Sequence, residues 1–288
     1  MATFDPDRRE IVLRIVYDGA ATAGKTANLR SLYATFGHRA QGELYIPAET
    51  ASGRTLYFDW LELVAGHLDD WPVRCQVLTV PGQFAFAERR YRLLRGIDAV
   101  VVVCESTPQG VHAARLAWTF LQRVLASTGN PDLPVVVQAN KQDLPGALAC
   151  SEIAARLALG RGSRVLPACA LHGDGVRVTF LAALDAARDA VRATLRRSGV
   201  EALAPPMESA EQLHEAMLRD ADGALDPVIA LALDEALASV AAREGAPTPP
   251  PPANLARSTA EHVPSPRGSA PPAEDPSRGG RKARRPPE

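Results

Sequence analysis

Gly19-Ala20-Ala21-Thr22-Ala23-Gly24-Lys25-Thr26 reads as glycine, four residues, glycine, lysine and a hydroxyl side chain, the spacing of a phosphate-binding loop. The chemistry needs that spacing. Successive backbone N–H groups at a helix N-terminus turn inward around an anion, with glycine where a side chain would block the approach. Lys25 then reaches the terminal phosphates, and Thr26 offers its hydroxyl to Mg²⁺. The candidate phosphate ligands are therefore Gly19, Ala20, Ala21, Thr22, Ala23, Gly24, Lys25 and Thr26. An apolar run from Ile11 to Tyr17 precedes the loop, and Ala27 to Phe36 contains neither Pro nor Gly. Strand, loop and helix are predicted in succession.

The same alternation continues downstream and predicts an α/β fold, a doubly wound and mostly parallel sheet with helices on both faces. Strands are predicted at 11–17, 54–64, 73–80, 98–104, 134–139 and 164–169, and helices at 25–36, 84–95, 111–127, 150–159 and 176–197. Ala99-Val100-Val101-Val102-Val103 and Pro134-Val135-Val136-Val137 are continuous β-branched runs, as expected of strands covered on both faces. The last helix carries Phe180, Leu181, Leu184, Ala187, Val191 and Leu195 at three- and four-residue spacings, so it is amphipathic.

Of the 288 residues, 1–199 are thus expected to form the nucleotide-binding domain. Residues 200–245 are rich in Ala, Leu and acidic residues and predict two short helices, read first as a weakly packed pair, which could otherwise dock on the domain, cap a switch surface or bind a partner. Residues 246–288 are Pro-rich, with an unbroken run from Pro249 to Pro252 and almost no large apolar side chain. Such a tail cannot bury enough surface to offset its ordering entropy and is expected to be disordered. Its basic cluster, Arg278, Arg281, Lys282, Arg284 and Arg285, could touch anionic lipid or nucleic acid, with a solvated tail as the favoured reading.

Composition narrows the partners. A formal net charge of −1 provides no global attraction to nucleic acid. Cys75, Cys104, Cys150 and Cys169 are far apart in sequence and are expected as reduced thiols. The first ten residues lack an apolar h-region, and no apolar stretch approaches the ~20 residues that span a bilayer. A soluble, cytoplasmic, monomeric chain is expected.

A phosphate loop alone fits kinases, ATPases and GTPases equally, so the base-reading element decides. Asn140-Lys141-Gln142-Asp143 follows the apolar run 135–137, at the C-terminal end of a predicted strand, where open α/β sheets bind ligands. A carboxylate there accepts hydrogen bonds from the ring N–H and exocyclic amine of guanine. Adenine presents an acceptor in place of that ring N–H and would leave the charge unpaired. The loop Cys169-Ala170-Leu171-His172-Gly173 could add backbone N–H contacts to the base from Ala170 and Leu171. Thr79-Val80-Pro81-Gly82-Gln83 ends another strand; Gly82 could offer its N–H to a γ-phosphate, and Gln83 could orient the attacking water. Upstream, Thr55 could join Thr26 as a Mg²⁺ ligand, and Arg54 could neutralise transition-state charge in cis.

The set GAATAGKT, GRTLYFDWL, TVPGQ, NKQD and ACALHGDGV, in that order over roughly residues 9–198, resembles the MglA-type bacterial small Ras-like GTPases of the polarity and gliding-motility family. Most small GTPases carry Asp where this chain has Thr79, and the MglA group similarly has threonine. The resemblance implies a switch cycling between GTP and GDP with Mg²⁺, an unidentified effector, and a Roadblock-type, MglB-like activator that supplies no arginine finger. It also implies that Arg54, Thr55 and Gln83 match the family's catalytic and Mg²⁺-linked positions. With Asp absent at 79, Asp59 becomes a candidate carboxylate behind the Mg²⁺. One departure stands out: Ala21 replaces the Gly of the family pattern. Its methyl crowds the space shared by Gln83 and water, and slow hydrolysis is expected. The competing reading is a hydrolysis-deficient pseudo-GTPase that acts as a scaffold through its C-terminal extension. A small-molecule kinase is a distant third, because NKQD counts against it.

Overall fold

A computed structural model describes residues 2–40, 42–46, 58–82, 87–160, 162–203, 209, 210, 212, 213, 230, 231 and 234, all within the compact unit Met1–Ala246. Among them the chain runs β1 (Thr3–Asp5), β2 (Glu10–Asp18), α1 (Lys25–Phe36), β3 (Trp60–Leu68), β4 (Trp71–Thr79), α2 (Ala87–Leu93), β5 (Ala99–Glu105), α3 (Pro108–Ser127), β6 (Val135–Asn140), α4 (Cys150–Arg156), β7 (Arg164–Pro167) and α5 (Val176–Ser198).

The strands form one sheet in the order β3-β4-β2-β5-β6-β7, with β1 on β2. The β2–β4, β2–β5, β5–β6 and β6–β7 pairs are parallel, whereas β3–β4 and β1–β2 are antiparallel. Every residue of β2 is buried, and Ala99 through Cys104 of β5 are fully buried, as continuous apolar runs at the centre of a parallel sheet require. One core joins the inner faces of α1 and α5 to alternate strand residues such as Leu13, Ile15, Val77 and Val101; the other joins α3 and α4 to Val16, Leu78, Val100 and Val102. Helices therefore cover both faces, and the C-terminal ends of β2, β4 and β6 open onto the same edge.

Several boundaries move, each for a local reason. The strand expected at 54–64 is seen from Trp60 to Leu68, with a register shift between Val64 and His67; residues 54–57 lie outside the described residues. Its partner begins at Trp71, because Asp69, at φ 51, turns the chain into a tight hairpin. The helix expected from 111 starts at Pro108, where Thr107 accepts the Gly110 N–H at 3.0 Å and Pro occupies the first turn, a cap that needs no apolar residue. The helix expected to run to 159 stops at Arg156, and Ala158 is left-handed at φ 53. The strand expected to reach 169 ends at Pro167, so Cys169 lies in the loop beyond it. β1 has no counterpart in the sequence reading. It is held by Asp5, whose Oδ1 accepts the Asp7 and Arg8 N–H groups at 3.0 and 3.1 Å and shapes the turn into β2.

Beyond Gly199, which ends α5, a single 3-10 turn spans Val200–Ala202 and Leu203 packs against the core of α1 and α5. Ser209 and Gln212 cap each other: the Ser209 N–H donates to Gln212 Oε1 at 2.9 Å and the Gln212 N–H to Ser209 Oγ at 3.3 Å. Ala210 and Leu213 are buried in the same core as Phe58, Trp60 and Leu94. All four cysteines are free. Among the described residues no helix is long and apolar enough to cross a membrane.

Candidate nucleotide-binding site

The loop between β2 and α1 is shaped by its neighbours. Gly24 sits at φ 103, and a Cβ there would fall 2.2 Å from Asn140 Nδ2. Only glycine satisfies both constraints. Lys25 is buried, and its Nζ donates to the carbonyls of Gly19 at 2.9 Å and Ala20 at 2.7 Å. The ammonium has three protons, so one remains to meet an anion cradled by the loop. Burial pushes the Lys25 pKa down to about 8, opposed by Asp18 and assisted by Arg90.

Thr26 opens α1 toward a buried carboxylate. Its Oγ1 donates to Asp59 Oδ2 at 2.7 Å, and Thr79 Oγ1 donates to the same oxygen at 3.0 Å while accepting the Asp59 N–H at 2.9 Å. Asp59 is wholly buried, and burial raises its pKa above the ordinary carboxylate range against the pull of those two hydroxyls. Its other oxygen, Oδ1, is buried without a hydrogen-bond partner among the described residues. An unsatisfied carboxylate oxygen beside a threonine hydroxyl is an all-oxygen donor set of the kind that suits Mg²⁺. These residues fit the ion.

Pro81-Gly82 leaves β4 and lies against the phosphate loop. A Cβ on Gly82 would come within 2.4 Å of the Ala21 amide nitrogen and 2.6 Å of the Ala20 carbonyl carbon, so close an approach excludes any side chain. Gln83, Arg54 and Thr55, the remaining expected members of this end of the site, lie outside the described residues.

At the other end, Asn140 terminates β6 and is buried. Its Nδ2 donates to the Ala23 carbonyl at 2.7 Å and its Oδ1 accepts the Ala170 N–H at 2.9 Å. One side chain thus ties the phosphate loop to the loop after β7. The Ala170 N–H, offered to the base on sequence grounds, is engaged by Asn140 in this arrangement. Lys141 adopts φ 64 and donates from Nζ to Glu105 Oε2 at 2.6 Å. Asp143 is exposed; the Cys169 thiol donating to it, and then backbone N–H donation, hold its carboxyl below the usual range. Leu171 is 81% exposed, clear of the core.

The mutual gliding-motility protein MglA of Myxococcus xanthus is 36% identical over 155 residues, which are 53% of this chain and 79% of that protein. The chain belongs to the MglA-like small GTPases of the Ras family. This MglA-like GTPase is also similar to human ADP-ribosylation factor-like protein 4A, at 36% identity over 88 residues (29% of this chain, 43% of that one). Human ADP-ribosylation factor-like protein 4C is 33% identical over 109 residues, 36% of this chain and 56% of that one. No protein-family model matches the chain.

Sequence reasoning missed several residues that organise the site of this MglA-like GTPase. Cys169 was expected in a buried strand and instead sits in the loop after β7, its Sγ 3.4 Å from His172 Nδ1 and close to the Asp143 carboxylate. Ser106, just past β5, donates its hydroxyl to the Asn140 carbonyl at 2.7 Å and accepts from Gln142 Nε2 at 2.7 Å, bracing the turn after β6. Asn28 and Gln138 exchange amide hydrogen bonds at 2.8 and 2.9 Å, and Asn28 also donates to the Gly24 carbonyl. They lock the first turn of α1 onto β6. A polar residue in an apolar strand, such as Gln138, was the available signal, since a buried amide needs a partner.

Proposed function

We propose that this MglA-like GTPase binds GTP and GDP with Mg²⁺ through the site described, hydrolyses GTP slowly, and acts as a nucleotide-dependent switch in the bacterial cytoplasm. The observation that carries this reading is the contact of Gly82 with Ala20 and Ala21. It brings the segment that ends β4 against the loop, which supports the reading that the Gly82 N–H answers to a γ-phosphate that GTP has and GDP lacks.

Each residue then has a part. Lys25 and the N–H groups of the loop hold the phosphates. Thr26 and Thr55 ligate Mg²⁺, with Asp59 as the carboxylate behind them. Mg²⁺, when bound, neutralises charge developing between the β- and γ-phosphates. Gln83 orients the attacking water, and Arg54 supplies positive charge from within the chain. Asp143 reads guanine; Asn140 holds the two loops that flank the base, and Lys141 and Leu171 line it. Because Arg54 acts in cis, the activator need not insert an arginine. A Roadblock-type, MglB-like protein that orders this segment meets the requirement, and the relative's role in gliding motility makes bacterial motility or polarity the process in view. The GTPase domain is residues 1–199, followed by a helical extension at 200–245 and a disordered basic tail at 246–288 that can touch anionic membrane.

Ala21, lying against Gly82, favours one second reading: a protein that holds GTP without hydrolysing it and serves as a scaffold through the extension. Nucleotide extracted from the purified full chain distinguishes these functions from a kinase, being guanine in both and adenine in the last. Asp59→Ala tests the metal arrangement. Mg²⁺-dependent retention of GDP should fall by about 10-fold or more, as for loss of a group supporting a metal ligand; unchanged retention would remove Asp59 from the account.

A further inference from the structure

Asp18 is the last residue of β2, immediately before the phosphate loop, and its side chain is 1% exposed. Its Oδ1 accepts the Gly19 N–H at 2.7 Å, and its Oδ2 accepts from Arg90 Nη2 at 2.7 Å. Arg90 is wholly buried. It comes from α2, the helix that follows the Gly82 and Gln83 segment. The same nitrogen donates to the Ala117 carbonyl of α3 at 3.0 Å, and the guanidinium stands 5.0 Å from the Phe120 ring centroid. Both charges are felt by Lys25, Asp18 favouring its charged form and Arg90 opposing it.

A buried carboxylate directly behind a loop that receives phosphates works against binding unless it is neutralised. Lys25 of the loop feels Asp18, but the cation hydrogen-bonded to the carboxylate does not belong to the loop. It belongs to the helix downstream of the γ-phosphate segment, so the field at the phosphates depends on where α2 sits. We infer that the Asp18–Arg90 ion pair is a positioning device that makes nucleotide affinity conditional on α2 being docked. This rests on the reading that the loop binds guanine nucleotide. Coupling of this kind is reciprocal: bound nucleotide must hold α2 down to the same extent that docked α2 holds nucleotide.

The test follows release of a fluorescent GDP analogue, at fixed Mg²⁺ and ionic strength, from full-length wild type, Arg90→Met, Asp18→Asn and the double variant, with thermal unfolding recorded for each. Arg90→Met leaves the carboxylate uncompensated and should speed release by about 10-fold or more. Asp18→Asn in the same background should bring the rate back to within about threefold of wild type, since it removes the repelling charge. A double variant as fast as Arg90→Met would overturn the inference, showing that Arg90 only packs. If Arg90→Met does not fold, Asp18→Asn and the double variant decide: the single leaves an excess buried cation and should release GDP several-fold more slowly than the double, and equal rates would overturn the inference. Failure of wild type to bind the analogue would instead refute the nucleotide reading itself.

Discussion

Gly82 lies against Ala21 so closely that a Cβ on Gly82 would meet the Ala21 amide nitrogen at 2.4 Å and its Cα at 2.6 Å. The atoms in the way are backbone on both sides, and no rotamer relieves the clash. Gly82→Ala should therefore push the segment off the loop and misplace whatever it positions by the better part of an ångström, a displacement that costs on the order of 100-fold in rate. Single-turnover GTP hydrolysis should fall by about that factor while GDP affinity changes little. Equal losses for GTP and GDP would show that Gly82 supports the loop without sensing the γ-phosphate.

Ala21→Gly works in the opposite direction. On the proposed reading the Ala21 methyl crowds the space that Gln83 and the attacking water share, so removing it should raise partner-stimulated hydrolysis by about 10-fold or more. An unchanged rate would clear Ala21 of slowing the chemistry.

Asn140 joins Ala23 to Ala170 by hydrogen bonds of 2.7 and 2.9 Å in a buried setting. Asn140→Ala leaves a buried carbonyl and a buried N–H unsatisfied, at about 1–3 kcal/mol each. Guanine nucleotide affinity, measured by calorimetry, should fall at least about 10-fold as the loops separate. A variant with wild-type affinity would show that the tie is redundant.

Leu213 is 2% exposed in the core that includes Trp60 and Leu94. Leu213→Ala should destabilise the full chain by about 2–3 kcal/mol, within the range for burying a cavity of that size. Chemical denaturation reads this directly. A change below about 0.5 kcal/mol, the level of ordinary surface substitutions, would mean that the extension packs loosely.

The fold was legible where local chemistry and burial agree. The run from Ala99 to Val103 could only be a central strand, and GAATAGKT specifies its own backbone through glycine, with Gly19 and Gly24 both at positive φ. The capped start of α3 at Thr107 was legible in principle from Thr-Pro, yet it is overshadowed by the apolar period that begins at Val111. β1 is too short for a periodic signal; its evidence is the turn chemistry of Asp5. Within the site, the neighbourhood of Lys25 and Thr26 was readable from the loop's own spacing: Lys25 turns back onto the Gly19 and Ala20 carbonyls, and Thr26 faces Asp59. Pairs made by topology were not. Arg90 lies 72 positions from Asp18 and Gln138 lies 110 from Asn28, and nothing in either neighbourhood names the other. Cys169 misled because a thiol in an apolar run looks like a small hydrophobe, while here its Sγ lies 3.4 Å from His172 Nδ1 in the loop after β7.

The central claim is a GTP-dependent switch, and single-turnover GTP hydrolysis at saturating Mg²⁺ tests it most directly, with and without a Roadblock-type partner, on the full chain and on a chain ending at Gly199. The account predicts slow hydrolysis alone and clear acceleration by the partner, with a difference between the two chains if the extension gates the site. GTP that binds but is never hydrolysed in any combination would contradict it, leaving a nucleotide-stabilised scaffold.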